Sequence, residues 1–538
     1  MFAMSFKLKP GAGAAGAVVL TLLGLCFVNR AGIATDEAAL EATLFRDWRF
    51  FSVPLFHHNI PVMELTYIGE LKTWLYWPVF KIWNPTAASI RVPAILMGAL
   101  TVLLFARLLK RVHGSRAAWV GSVLLGTDVT FLLTTVHDWG PVVLQHLLLA
   151  AVMLLGVRWF QTESSASLFA AAFCAGLAFW DKAVFVWIFS GLLVASFPYV
   201  REIRARLTRR TAMLAILFLG LGALPLIVYN LAGPEKFATV KGNLHRSNGL
   251  SSLWFLYKLR QLETAWDGSS LFGYLVNDDA GPRPGSASSV LEQASFAVHA
   301  ISGDHRSNFM LAGLCSALLL IPVLWRTPAC KALLFGMIAA VVAWLHMALA
   351  GGGGAAHHAV LLWPLPHFVI AIALAEASLR VRRGEWTLAL VTALLVMGNM
   401  LALNQYLYQF IRNGSPVTWT DAVYPLAEDL KRSQASQILF PDWGITDAVC
   451  VLTRDNPPTH TVEEPFPISD SNAIWVDHAG DQEFTKGVHH RLIAAAHAAG
   501  LEPFQLKTYY DRNGRPMLQS FKFTNRRTEE PGNSLYSH

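Results

Sequence analysis

Charge is in short supply in this chain. Asp, Glu, Lys and Arg together make up 15% of 538 residues, where a soluble protein of that size carries about 25%. The shortage excludes an ordinary soluble enzyme, and a hydrophobic content of 54% with a mean hydropathy of +0.41 points the same way. Cysteine is scarce as well. Cys26, Cys174, Cys315, Cys330 and Cys450 lie far apart, four of them in or beside apolar runs. They show neither a pairing pattern nor a metal-ligand spacing, which excludes a disulfide framework. The net charge is a modest +7, and its Lys and Arg fall in short turns between apolar runs. That is how membrane proteins mark their cytoplasmic side, so no nucleic-acid partner is expected. A good A-x-A site is missing between the first apolar run and the acidic stretch after it. Residues 12–28 therefore read as a retained span and not as a cleaved signal peptide.

What the chain has in quantity is apolar runs of about 18 residues or more, the mark of a polytopic α-helical membrane protein. Eleven spans are expected: 12–28, 87–109, 117–136, 141–159, two in the run interrupted by Trp180-Asp181-Lys182, 211–231, 308–325, 332–350, 359–378 and 386–406. The turns carrying Lys110, Arg111 and Arg116, then Arg201 to Arg210, Arg326 with Lys331, and Arg380 to Arg383 alternate with less basic ones. The N-terminus then lies inside and the C-terminus outside. Residues 31–85 form a first outer loop whose aromatics, interleaved with charges, suggest interfacial helices; for 66–83 a short span is the alternative. Residues 233–306 form a long polar outer loop with an amphipathic helix in SSLWFLYKLRQLETAW. The membrane unit covers 1–412. Residues 413–538 read as a small soluble extracytoplasmic α/β domain. Its expected strands are SQILFPDWG, NAIWVDH and MLQSFKF, and KGVHHRLIAAAHAAG is a helix closed by Gly500.

Charged groups at span ends are costly and tend to be placed for function, and several here fall on the same outer face. Asp36 and Glu37 open the first loop, and a carboxylate pair suits general base work; Asp36 also fits as the N-cap of a helix beginning AALEATL. His137 and Asp138 end the third span and suit a divalent cation such as Mg, Mn or Zn, or serve as plain span-end polarity. Asp181-Lys182 reads as a turn-stabilising ion pair. Lys182, Lys241, Arg246, His357 and His358 are candidate phosphate contacts. Tyr67, Trp74, Trp77 and Trp83 read as an aromatic belt.

Taken together, TDEAALEATLFRDW, then YIGELKTWLYWPVFKIWNPTAASIRVPAILMGALTVLLFARLL, HDWGPVVLQHLLLAAVMLL, GLAFWDKAVFVWIFSGLLV and HHAVLLWPLPHFVIAIALA resemble the GT-C membrane glycosyltransferases. The nearest likeness is to the protein-mannosyltransferase and lipid A aminoarabinose transferase type, across residues 12–406. The resemblance implies an inverting glycosyltransferase of a bacterial inner membrane. Its donor would be a polyprenyl-phosphate sugar, a hexose or pentose, and its acceptor an extracytoplasmic protein, lipid or cell-envelope glycan. Asp36 would act as or near the base, supported by Glu37, and Asp138 would organise the donor phosphate or a cation. Two motifs depart from the pattern. Gly69-Glu70-Leu71-Lys72 replaces a Lys-Pro-Pro turn, and His357-His358 replaces a late Arg-Tyr. A flippase of lipid-linked sugars and a non-catalytic glycan-binding scaffold are the alternative readings.

Overall fold

The computed structural model describes residues 12–46, 49–55, 57–244, 252–350, 356–469 and 472–525. Arg246 and the glycine run 351–354 lie outside them. All eleven apolar runs fall on helices. Among the described residues, five helices are long and apolar enough to cross a bilayer, or up to eight if each bent pair counts as one span. Gly13–Phe27, Ser165–Asp181 and Met310–Leu324 are apolar but shorter. Side chains such as Met213, Ile216, Leu319 and Leu390 project outward from these helices unpacked, a surface that lipid and not water would cover.

Three expected straight spans are bent, each for a local reason. The run 117–136 turns by 56° at Asp128, whose carboxylate accepts the Phe131 N–H and starts a new helix, Val129–Val136. The run 211–231 turns by 68° where Pro225 enters the first turn of Leu224–Ala232. The run 359–378 turns by 43° at Trp363-Pro364, because proline lacks the N–H that would continue the preceding helix.

The first outer loop differs from expectation. It holds a three-stranded antiparallel sheet, β1 (Phe51–Leu55), β2 (His58–Leu65) and β3 (Ile68–Gly69), in that order. Aromatics in FRDWRFFSVPLFHHNIP suggested interfacial helices, yet Pro54 and Pro61 in this stretch oppose helix continuation. The stretch 66–83 does not span. Its helix, Leu71–Ile82, has twelve residues and reaches about 18 Å at 1.5 Å per residue, short of the roughly 30 Å hydrocarbon core. It turns Lys72, Thr73, Tyr76 and Phe80 inward and leaves Trp74, Trp77 and Ile82 exposed.

Residues 438–525 carry a mixed five-stranded sheet in the order β5-β4-β6-β8-β7. The strands are β4 (Ile438–Phe440), β5 (Thr459–Thr461), β6 (Ile474–His478), β7 (Leu501–Tyr510) and β8 (Pro516–Asn525). β4 runs parallel to β5 and β6, and β8 runs antiparallel to β6 and β7. Helix Val488–Ala498 packs on one face, and Gly500, at φ 75°, reverses the chain into β7. Helix Thr446–Thr453 packs against Thr35–Ala42 of the first loop, sharing an apolar core that includes Ala38, Ala42, Ile445 and Val449. At the opposite end of the bundle the basic turns meet. His113 and Arg380 share Glu376, and Arg116 reaches Glu385 at 2.8 Å.

Candidate active site

The site begins with a glycine. At Gly69 a Cβ would stand 2.1 Å from the Trp180 carbonyl oxygen, so only glycine lets β3 touch the end of helix Ser165–Asp181. That contact becomes a backbone bridge from Ile68 to Lys182, with the Ala183 N–H donating to the Tyr67 carbonyl at 2.9 Å. Lys182 is fixed at the cavity wall in consequence. Its side chain enters no ion pair or hydrogen bond among the described residues. Asp181 turns away and accepts from the Gln145 amide at 2.7 Å, so the expected Asp181–Lys182 pair does not form. Burial presses the Lys182 pKa down to about 8, with the charges of Asp181 and Asp36 opposing.

Asp36 faces Lys182 across the same space. Its helix starts two residues earlier than the cap reading required, at Thr35 with Ala34 as N-cap, so the carboxylate is released from capping duty. Among the described residues its side chain accepts one hydrogen bond, from Trp139 Nε1 at 3.3 Å. Burial raises the Asp36 pKa above the ordinary value, against the Trp139 hydrogen bond and the Lys182 charge. His357 stacks on Trp139 and lies against His358. These groups line a cavity of about 220 Å³ whose wall also takes in Thr35, Glu64, Tyr67, Trp443 and Asp447. Arg46 bridges the two acids of the far wall, 2.6 Å from Glu64 and 2.7 Å from Asp447.

Beneath the cavity lies a buried ionic cluster. Lys72 Nζ stands 2.9 Å from Asp138 and 3.1 Å from Glu41, all three fully buried. The Tyr76 hydroxyl approaches Asp138 at 2.8 Å. Burial opposes the Lys72 charge, but Asp138 and Glu41 outweigh it and hold its pKa above the usual lysine value. Beside it Arg91 grips Glu37 through two hydrogen bonds, 2.6 and 2.8 Å, and donates to the carbonyls of Val28, Ala31 and Gly32.

A family model for dolichyl-phosphate-mannose-protein mannosyltransferase matches residues 71–229. No curated protein matches by sequence. Among solved structures, ArnT from Cupriavidus metallidurans bound to undecaprenyl phosphate superposes with a TM-score of 0.54 at 12% identity. The match covers 94% of this chain and 97% of that one. The Archaeoglobus fulgidus oligosaccharyltransferase tethered to an acceptor peptide gives 0.50 at 12% identity, over 97% of this chain and 75% of that one. The chain shares the fold of these membrane glycosyltransferase structures.

Within this fold, several residues singled out by sequence are placed differently from expectation. Glu37 does not share the cavity with Asp36; both its oxygens are taken by Arg91. Asp138 does not line it either, and the position expected to hold a cation beside Asp138 is filled by the Lys72 ammonium. His137 is sandwiched by Phe410 and Trp419, with Nδ1 on the Leu133 carbonyl, so His137 and Asp138 do not make a metal site together. Lys241 pairs with Glu235.

Asp442, Asp477 and His478 are the one grouping among the described residues with metal-ligand spacing. Asp442, however, already accepts four N–H groups, from Trp443, Phe484, Thr485 and His478 Nδ1, at 2.8 to 3.0 Å. A carboxylate offers about four lone-pair positions, so this grouping does not fit a metal. It serves as a knot that holds Trp443 and Phe484 together at the cavity rim, 4.5 Å between ring centroids. Glu64, Asp447, Trp443 and Arg91 were not singled out in the sequence, and Lys72 was noted only as part of the turn that replaces Lys-Pro-Pro. The two lysine and arginine positions carry the one available signal, a lone cation inside an otherwise apolar helical segment.

Proposed function

We propose that this protein is an inverting glycosyltransferase that moves a sugar from a polyprenyl-phosphate donor to an acceptor outside the cytoplasm of a bacterium. The observation that carries the reading is the juxtaposition of Asp36 and Lys182: an acid held by one indole N–H and a lysine without a side-chain partner among the described residues, facing one cavity at the edge of the apolar helices. Lys182, with His357 and His358 beside it, supplies donors for the phosphate oxygens. Asp36 removes the proton of the acceptor as that atom attacks the anomeric carbon. The bond from that carbon to the phosphate oxygen breaks as the new one forms, so configuration inverts. The electron pair leaves on the phosphate, where the Lys182 charge stabilises it in a site largely shielded from water. Undecaprenyl phosphate bound to the Cupriavidus metallidurans ArnT supports a polyprenyl carrier, which slides in from the bilayer. The identity of the sugar and of the acceptor is open to the same assay.

The test is transfer by the purified chain from radiolabelled polyprenyl-phosphate sugars. Asp36→Asn is expected to lower kcat by about 10²–10⁴, the usual worth of a positioned acid or base, while donor KM changes little. Lys182→Ala raises donor KM instead. Near-normal transfer by Asp36→Asn overturns the base assignment, and an unchanged donor KM in Lys182→Ala overturns the phosphate site.

A further inference from the structure

A second hollow lies at the other end of the bundle, about 600 Å³ in volume and lined by six residues alone: Arg107, Lys110, Arg111, Leu154, Leu155 and Arg158. Sites for small ligands fall between roughly 300 and 1,000 Å³. Lys110 and Arg111 stand in the last turn of helix Ala87–Val112 with Arg107 just before them, and Arg158 lies four residues before the end of Val142–Thr162. A carbonyl-rich helix end favours cations, and cytoplasmic turns collect them. Neither rule makes cations of two helices face one hollow, and neither leaves them without counter-charge.

Some cations elsewhere on this face do have counter-charge. Arg116 pairs with Glu385, Arg206 with Glu163, and Arg380 and His113 with Glu376. Glu163, five residues beyond Arg158, is committed to Arg206 at 3.5 Å. Around the hollow, by contrast, none of the four cations meets a carboxylate within ion-pair distance among the described residues. Arg111 finds the neutral Gln161 side-chain oxygen at 3.2 Å, and the Gln161 amide returns to the Arg111 carbonyl at 3.1 Å. That reciprocal pair ties the two helix ends together and fixes the width of the hollow.

We infer that this hollow binds the headgroup of an anionic phospholipid from the leaflet on the basic side of the bundle, with preference for a headgroup carrying two phosphodiesters. Basic pockets between membrane helices take such headgroups. Arg and Lys suit phosphate oxygens through charge-assisted hydrogen bonds, and Leu154 and Leu155 give the upper acyl carbons an apolar wall. Four uncompensated positive charges match two phosphodiesters better than one. Free phosphate shares the headgroup chemistry but gains nothing from the leucine wall. The site is independent of the sugar-transfer reading.

The experiment is native mass spectrometry of the full chain in detergent, titrated separately with cardiolipin, phosphatidylglycerol, phosphatidylcholine and inorganic phosphate. The comparison is a triple variant, Arg107→Gln, Lys110→Gln, Arg158→Gln, in which the long stems are kept. Expected is binding in the order cardiolipin, phosphatidylglycerol, phosphatidylcholine, with at least a tenfold loss of cardiolipin affinity in the triple variant. Equal affinity of the two proteins for cardiolipin overturns the site, as does equal binding of phosphatidylcholine and cardiolipin. Saturation by inorganic phosphate that displaces the lipid overturns the lipid as occupant. A charge-retaining Arg158→Lys variant guards against misfolding: it keeps cardiolipin binding if charge is the determinant, and loss there overturns the charge argument.

Discussion

In the proposed reaction Lys182 and Asp36 work in opposite protonation states, which gives the site a pH signature. Asp36 acts as a base only when ionised, and burial raises its pKa. Activity therefore falls with decreasing pH at a point above the usual carboxylate range. Lys182 holds a phosphate only when protonated, and burial lowers its pKa to about 8. Donor capture therefore falls as pH rises through about 8. The profile of kcat/KM, which reports the free enzyme, is expected to be bell-shaped. Lys182→Arg moves the alkaline limb out of the measured range, because a guanidinium stays charged; an alkaline limb that persists near pH 8 assigns it elsewhere. Both residues were legible in the sequence as charges at span ends, and so was the histidine doublet. The sequence could not separate Asp36 from Glu37. Successive side chains on a helix point about 100° apart, so two neighbouring acids serve different partners, one the cavity and one Arg91. Glu64 and Asp447 look like ordinary surface acids until Arg46 draws them together.

Among the elements, the twelve-residue helix Leu71–Ile82 bears most directly on the site, since it inserts Lys72 between Asp138 and Glu41. Replacing Lys72 with Met leaves two fully buried carboxylates without their cation. Removing one partner from such a group costs about 3–5 kcal/mol, so Lys72→Met is expected to lower thermal stability in detergent and to reduce the folded yield. A variant that melts like the parent shows that the cluster contributes no net stability. Gly69 offers a gentler probe of the same region. Gly69→Ala places a Cβ against the Trp180 carbonyl, shifts Lys182, and is expected to raise donor KM more than it lowers kcat; unchanged kinetics remove the glycine from the positioning of Lys182. The helices of the bundle were readable from hydropathy, because a run of apolar residues admits few other structures in lipid. The bends at Asp128, Pro225 and Pro364 and the small sheet in the first loop were harder, since each depends on a single capping side chain or proline inside an otherwise regular pattern.

At the scale of the whole molecule, the first outer loop, the membrane-helix ends and the C-terminal region share one cavity. Trp443 and Asp447 complete a wall begun by Asp36 and Glu64, and Arg46 joins the two contributions. Arg46→Met is expected to speed amide hydrogen exchange in Thr446–Thr453 and to lower transfer together; faster exchange with full activity separates the contact from the chemistry. The sequence suggested an outer α/β unit, but strands and a helix in a tail say nothing about the surface that they dock on.

The Arg46–Asp447 contact spans 401 positions of the chain, and it sets an order of events during synthesis. A growing polypeptide enters the bilayer with Asp36 and Lys182 long before it owns Trp443 and Asp447. Until then the acid and the lysine face an open, wet groove, in which a phosphate is solvated by water and the carboxylate is a weak base. The cavity is closed by residues that follow the described membrane helices, so a product truncated between Asn413 and Trp443 is expected to lack the proposed transfer activity.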